Sequence, residues 1–244
     1  MITIIYFARM RGIGAILGLL FSVLVLIYYI VPGIVSGSNI STITLFGIFI
    51  ISGISVFLAH GISKKTNIIW ISVISTLLIA IGLSHLFVEL NSLFGRASDV
   101  GFSFYAGDYS FISLKGLLLA GLVIGVFGVL TDVSSTQVAA IWQLKKANPN
   151  LTMKELYNMG SLIGREHIAS LVNTLVLVYV GSSLPLFIVI MGADPVPLWA
   201  IINSEMVAEE VIRGVVGSVS LILGVPISNF FASYFVSRDQ ENFK

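Results

Sequence analysis

The chain has 244 residues, of which 57% are hydrophobic and only 10% charged. Soluble domains of this size carry about a quarter charged residues, so the composition argues against a water-soluble fold. A net charge of +1 gives no case for a nucleic-acid partner or an acidic substrate, and the lack of cysteine excludes disulfides, thiolate metal sites and a thiol nucleophile.

Arg9 and Arg11 lead into an uncharged run from Gly12 to Val31. That run is too long for a cleaved signal peptide, and we read it as a retained signal anchor. A spanning helix needs about 20 mostly apolar residues. Six runs qualify: Ile13–Val31, Thr42–Ala59, Ile68–Val88, Leu114–Leu130, Ala169–Met191 and Val211–Phe235. They are too long for barrel strands. The expected fold is therefore all-α. It is a single polytopic helical bundle over residues 1–244, with about six spans and short amphipathic cytoplasmic helices in a connection over 131–168.

Lysine and arginine in short loops set orientation. With a cytoplasmic N-terminus, the inside holds Arg9, Arg11, Lys64, Lys65, Lys145, Lys146, Lys154, Arg165, Arg238 and Lys244. The outside holds only Arg96, Lys115 and Arg213, so both termini are expected to be cytoplasmic.

The first connection, Pro32–Ser41, is uncharged and rich in Gly and Ser, and the second, His60–Asn67, is a basic anchor. The third, Asn91–Ser113, carries Phe102, Phe104, Tyr105, Tyr109 and Phe111, an aromatic density typical of a membrane interface. In the fourth, Ser134 or Ser135 is expected to cap a helix that Asn148-Pro149-Asn150 breaks. Thr152-Met153-Lys154-Glu155 then fits a capping box that starts a second helix. In the fifth, Asn203 is a possible cap for a helix carrying Glu205, Glu209 and Glu210. Glu209 and Arg213 have the i,i+4 spacing of a helical pair. Pro226 falls inside the sixth run, where a missing N–H normally kinks a helix. Gly181-Ser182-Ser183-Leu184-Pro185, late in the fifth, reads as a hinge or a break.

The densest polar chemistry lies in Thr131, Asp132 and Gln137 at the end of the fourth run, and in Arg165, Glu166, His167, Asn173 and Thr174 around the start of the fifth. Ionisable groups at membrane depth are expensive and need a reason. An Asp132–Arg165 pair would neutralise both charges, and Asn173 would find an interhelical hydrogen bond. These residues form a candidate ion- or solute-binding site. The bland alternative is a structural clasp. Glu209, Glu210 and Arg213 form a candidate outer charged gate. Gly121 with Gly125, and Ser220 with Gly224, are small-residue faces suited to close helix packing. The three histidines show no zinc-ligand spacing, and no nucleophile elbow, His-Glu-x-x-His or phosphate loop occurs. No metal, cofactor or enzymatic activity is expected. The partners expected are the lipid bilayer and either another copy or a paralogous membrane subunit.

At these residues the chain resembles the YibE/F-like family of bacterial and archaeal multi-pass membrane proteins. The resemblance is strongest over Gly116–Ala232. It is carried by Gly125-Val126-Phe127-Gly128-Val129-Leu130-Thr131-Asp132-Val133, Ile163-Gly164-Arg165-Glu166-His167-Ile168-Ala169-Ser170, Asn173-Thr174-Leu175-Val176, Asn203-Ser204-Glu205 and Val207-Ala208-Glu209-Glu210. The family pattern has Asp-Asp where this chain has Thr131-Asp132, and often Asp in place of Glu166. The resemblance implies a helical protein of the prokaryotic inner membrane. The function expected from it and from the polar cluster is a transporter or channel-like permease for an ion or small solute. A non-transporting scaffold that docks a partner through residues 131–168 is the alternative.

Overall fold

A computed structural model describes residues 2–96, 110–192 and 197–239, with side chains from Gly12 onward except at Val189 and Ile190. Four of the aromatics in the third connection, Phe102 to Tyr109, lie outside the described residues, as do Asp194 and Pro195.

The described residues form helices and no strand. The chain enters through α1 (Ile2–Val25), passes a π-helical turn at Leu26–Ile30 and ends its first crossing in α2 (Val31–Val35). Pro32 takes an early position of α2, where its missing N–H costs nothing. Then follow α3 (Ile40–His60), α4 (Lys64–Leu90), α5 (Leu114–Ala147), α6 (Met153–Ser182), α7 (Leu184–Gly192), α8 (Leu198–Ile202) and α9 (Glu205–Arg238).

Five of these segments are long and apolar enough to cross a bilayer: Gly12–Val35, α3, α4, α5 and α9. This is a helical membrane protein. The fifth predicted run is divided. α6 stops at Ser182, Ser183 caps it, and α7 restarts with Pro185 in its first turn. The hinge read in Gly181–Pro185 is therefore a true helix break. α6 nonetheless lies beside α5 and α9 between the same two ends of the bundle.

Three helices, α4, α5 and α9, pack mutually at the centre; α3 joins on one side and carries α1, while α6 closes the other side. α1 thus packs mainly on α3, whereas α5 packs on α3, α4, α6 and α9. Leu122, Val126 and Leu130 of α5, Leu77 and Ala80 of α4 and Val216 of α9 fill the central layer. Small residues permit the close approach that lipid-embedded helices need. A Cβ at Gly14 would lie 2.0 Å from the Leu58 carbonyl oxygen, and a Cβ at Gly217 would lie 3.1 Å from the Leu175 side chain.

The fourth connection differs most from expectation. Thr131–Gln137 is not the end of a span but the middle of the 34-residue α5. The Thr131 hydroxyl donates to the Phe127 carbonyl at 3.0 Å, and those of Ser135 and Thr136 donate to the Asp132 carbonyl at 3.0 and 2.8 Å. The polar run solvates itself on its own helix, so no break or new cap is needed. Only residues 148–152 interrupt the helices between Leu114 and Ser182. The break at Asn148 and the restart at Thr152 are as the sequence indicates. Thr152 accepts from the Glu155 N–H, and the Glu155 carboxylate accepts from the Thr152 N–H at 2.8 Å, a complete capping box. The expected short amphipathic helices are instead the ends of two long ones. At the start of α9 the cap is Ser204 rather than Asn203.

Candidate functional site

The relative level of each residue in the bundle follows from helix register. Gly224 of α9 packs on Leu130 and Val133 of α5 and on Thr76, near the middle of α4. Asp132 therefore lies close to the middle of the bundle's thickness. Along α6, which runs antiparallel to α5, Gly125 meets Tyr179 and Gln137 meets His167. Both contacts place Asp132 level with Val172.

The structure brings together only part of the predicted cluster. Gln137 is fully buried, and its side-chain nitrogen lies 3.3 Å from His167 Nδ1. Thr131 is half-buried and satisfied by its own helix. Asp132 and Arg165 are both exposed, and no ion pair joins them among the described residues. Glu166, Asn173 and Thr174 are also exposed, and the Thr174 hydroxyl donates back to the Ser170 carbonyl at 3.0 Å. The reason is helical phase. The face of α6 that meets the bundle runs through Gly160, Gly164, Ile168, Leu171 and Leu175, and Glu166 and Asn173 point the other way.

Near Gln137 lies a residue that the sequence reading missed. Asn229 of α9 is fully buried, and neither its Oδ1 nor its Nδ2 has a hydrogen-bond partner; Gln137 Oε1 is likewise unpaired. Glycines of α6 form the roof over both. A Cβ at Gly164 would sit 3.4 Å from Gln137 Oε1 and 3.6 Å from Asn229 Nδ2, and one at Gly160 would sit 3.1 Å from Asn229 Oδ1. Ser134 and Ser228, both fully buried, join α5 to α9 below this roof by a 3.0 Å hydrogen bond. Ser233, one turn beyond Asn229, adds another buried hydroxyl without a partner. Pro226 leaves the helix continuous, but it withholds the N–H that would bond the Ile222 carbonyl.

These residues form a small polar cluster on the Lys64 side of the middle. It holds two carboxamides, an imidazole and hydroxyls, with no carboxylate. A buried polar group left unpaired costs about 1–3 kcal/mol, so an amide pair with three idle atoms needs a guest or waters to satisfy it. Neutral oxygen and nitrogen donors suit a monovalent ion or a small uncharged solute; divalent cations prefer carboxylates. One cue in the sequence did point here. Asn229 is a lone amide in an apolar run, as Asn173 is, and the spacing Ser220/Gly224/Ser228 marks the face of α9 that turns inward.

The residues of the predicted gate sit at the other end. Glu209 is buried. Arg213 lies 3.7 Å from Glu210, its i−3 neighbour. Glu210 also accepts a 2.8 Å hydrogen bond from Ser183, which ties the α6–α7 break to α9. An apolar cleft of about 470 Å³ between α6, α7 and α9 opens beside this pair. The Glu205 carboxylate accepts from the backbone N–H groups of Phe94, Gly95 and Arg96 and so fastens the loop after α4 to the start of α9. Among the described residues no group of three His, Asp or Glu could hold a metal ion.

The sequence model of the YibE/F-like protein family matches residues 1–238, so the chain belongs to that family over almost its whole length. No curated protein and no solved structure matches it.

Proposed function

We propose that this YibE/F-like protein is a permease for a monovalent ion or a small uncharged polar solute, bound at the buried polar cluster of Gln137, His167 and Asn229. The observation that carries this is the pair of fully buried carboxamides with unpaired atoms. A purely structural clasp would pair them with each other, as Ser134 and Ser228 are paired. The end of the bundle that carries Lys64, Lys145, Lys146, Lys154 and Arg238 faces the cytoplasm of a prokaryotic cell, since basic flanks are retained inside. Both termini are then cytoplasmic, and Glu210–Arg213 lies on the outer side.

The test is flux into proteoliposomes containing the intact protein. The probes are sodium, potassium, protons, chloride and small polyols. The proposal expects protein-dependent uptake of at least one, reduced at least tenfold by Asn229→Leu while the protein stays folded. Folded protein that passes none of them, or Asn229→Leu protein with undiminished flux, overturns it. A scaffold would give the first of these results.

A further inference from the structure

We infer that an anionic phospholipid binds between α4 and α9 at the Lys64 end of the bundle, with its phosphate held by Lys64, Asn67 and Arg238. A cavity of about 660 Å³ opens there. Its wall on α4 is Lys64, Asn67, Ile68 and Ile71, spaced i, i+3, i+4 and i+7 along one helix face. Its wall on α9 is Phe235 and Arg238, with Asp239 just beyond. Lys64 is the first residue of α4 and Arg238 the last of α9, so both cations lie at helix ends, the level of headgroups in a bilayer. Ile68, Ile71 and Phe235 follow one to two turns further into the bundle. The cavity is thus cationic at its rim and apolar below.

The donors at the rim are available. Among the described residues Arg238 has no carboxylate partner, and its guanidinium rests 4.1 Å from the centroid of the Tyr234 ring. Asn67 is exposed, and among the described residues its carboxamide makes no hydrogen bond. Lys64 donates one of its three N–H groups to Asp239 at 3.0 Å. Its side chain is still 59% exposed, against 11% for that of Asp239, so the ammonium is the more accessible of the two. Two cations and one carboxylate leave the cavity with one positive charge. That balance and the apolar wall together select the occupant. A soluble anion would meet the cations but leave Ile68, Ile71 and Phe235 uncovered. A zwitterionic lipid brings its own cation toward Lys64 and Arg238. An anionic phospholipid satisfies both parts, with its phosphate on the rim and its chain on the wall. Basic pockets between spanning helices recognise acidic headgroups by this chemistry.

The test is native mass spectrometry of delipidated full-length protein in detergent. The protein is offered phosphatidylglycerol and phosphatidylcholine of the same chain length at equal concentration. Phosphatidylglycerol adducts should exceed phosphatidylcholine adducts at least fivefold. One cation beside an anionic lipid is worth about fivefold in binding, so Arg238→Gln should lower the phosphatidylglycerol adduct about fivefold. Lys146→Gln, at an exposed lysine outside the cavity, should leave it unchanged. Ile71→Ser keeps every charge and should lower it at least twofold. A tenfold excess of glycerol phosphate, which has the phosphate without the chains, should not displace the lipid. No adduct, equal adducts of the two lipids, undiminished binding in either cavity variant, an equal loss with Lys146→Gln, or displacement by glycerol phosphate each overturn the inference. No arm reads flux, so the permease reading stands or falls separately.

Discussion

Replacing Asn229 by leucine should make the protein more stable and should stop it working. Leucine keeps the forked end of asparagine, with two methyl groups where Oδ1 and Nδ2 stood. Both of those atoms are buried without a partner, and each such group costs about 1–3 kcal/mol. The methyl groups are larger, and crowding in the packed interior takes back part of the gain; overpacking of this kind costs about 1–3 kcal/mol. The net expectation is a gain of about 1–3 kcal/mol, read as a shift in the midpoint of unfolding by SDS titration in mixed micelles. Ser134→Ala is the matched control. It removes a satisfied 3.0 Å bond and strands the Ser228 hydroxyl, so it should lose about 1 kcal/mol. If Asn229→Leu instead destabilises the protein by more than about 1 kcal/mol, the amide has a structural partner in the resting protein. The reasoning from unpaired groups then fails.

Gly164→Ala should cost about 1–3 kcal/mol by overpacking, because its Cβ would fall 2.4 Å from Val225 Cγ1; a thermal melt in detergent checks this. Gly95→Ala should cost a similar about 1–3 kcal/mol through strain, since Gly95 has φ +77° and a Cβ there would lie 2.3 Å from the Leu114 carbonyl oxygen. An unchanged melting temperature would refute either claim. The Glu155 carboxyl is held below its ordinary range, first by the Thr152 backbone N–H and then by the Thr152 hydroxyl. A depressed folded pKa contributes stability that is present above the unfolded value and is lost as pH falls through the folded one. Amide protection factors at the start of α6 should therefore fall in acid below the usual glutamate range, and Glu155→Gln should flatten that dependence.

Much of this fold is written in local signals. The capping box at Thr152–Glu155 and the break at Asn148-Pro149-Asn150 are encoded within a few residues, and both stand where the sequence places them. So does the break before Pro185. The extent of α5 is not encoded in that way. A run of Thr, Ser and Gln looks like a helix end, but its hydroxyls bond back three or four residues and leave the helix intact. The polar cluster was half-legible. Gln137 and His167 stand out as polar groups in apolar surroundings, but the packing that brings Asn229, far along the chain, near Gln137 depends on the phase of three helices. Asp132, Arg165 and Asn173 look alike in the sequence and are sorted outward by that same phase.

The most direct test of the central claim is access of water to Asn229. In this cysteine-free chain, Asn229→Cys is treated with a membrane-impermeant thiol reagent from each side of sealed, oriented vesicles. The account predicts slow labelling from the side that carries Lys64. A thiol that stays silent from both sides while the protein remains folded would contradict it, and the cluster would then be a dry clasp.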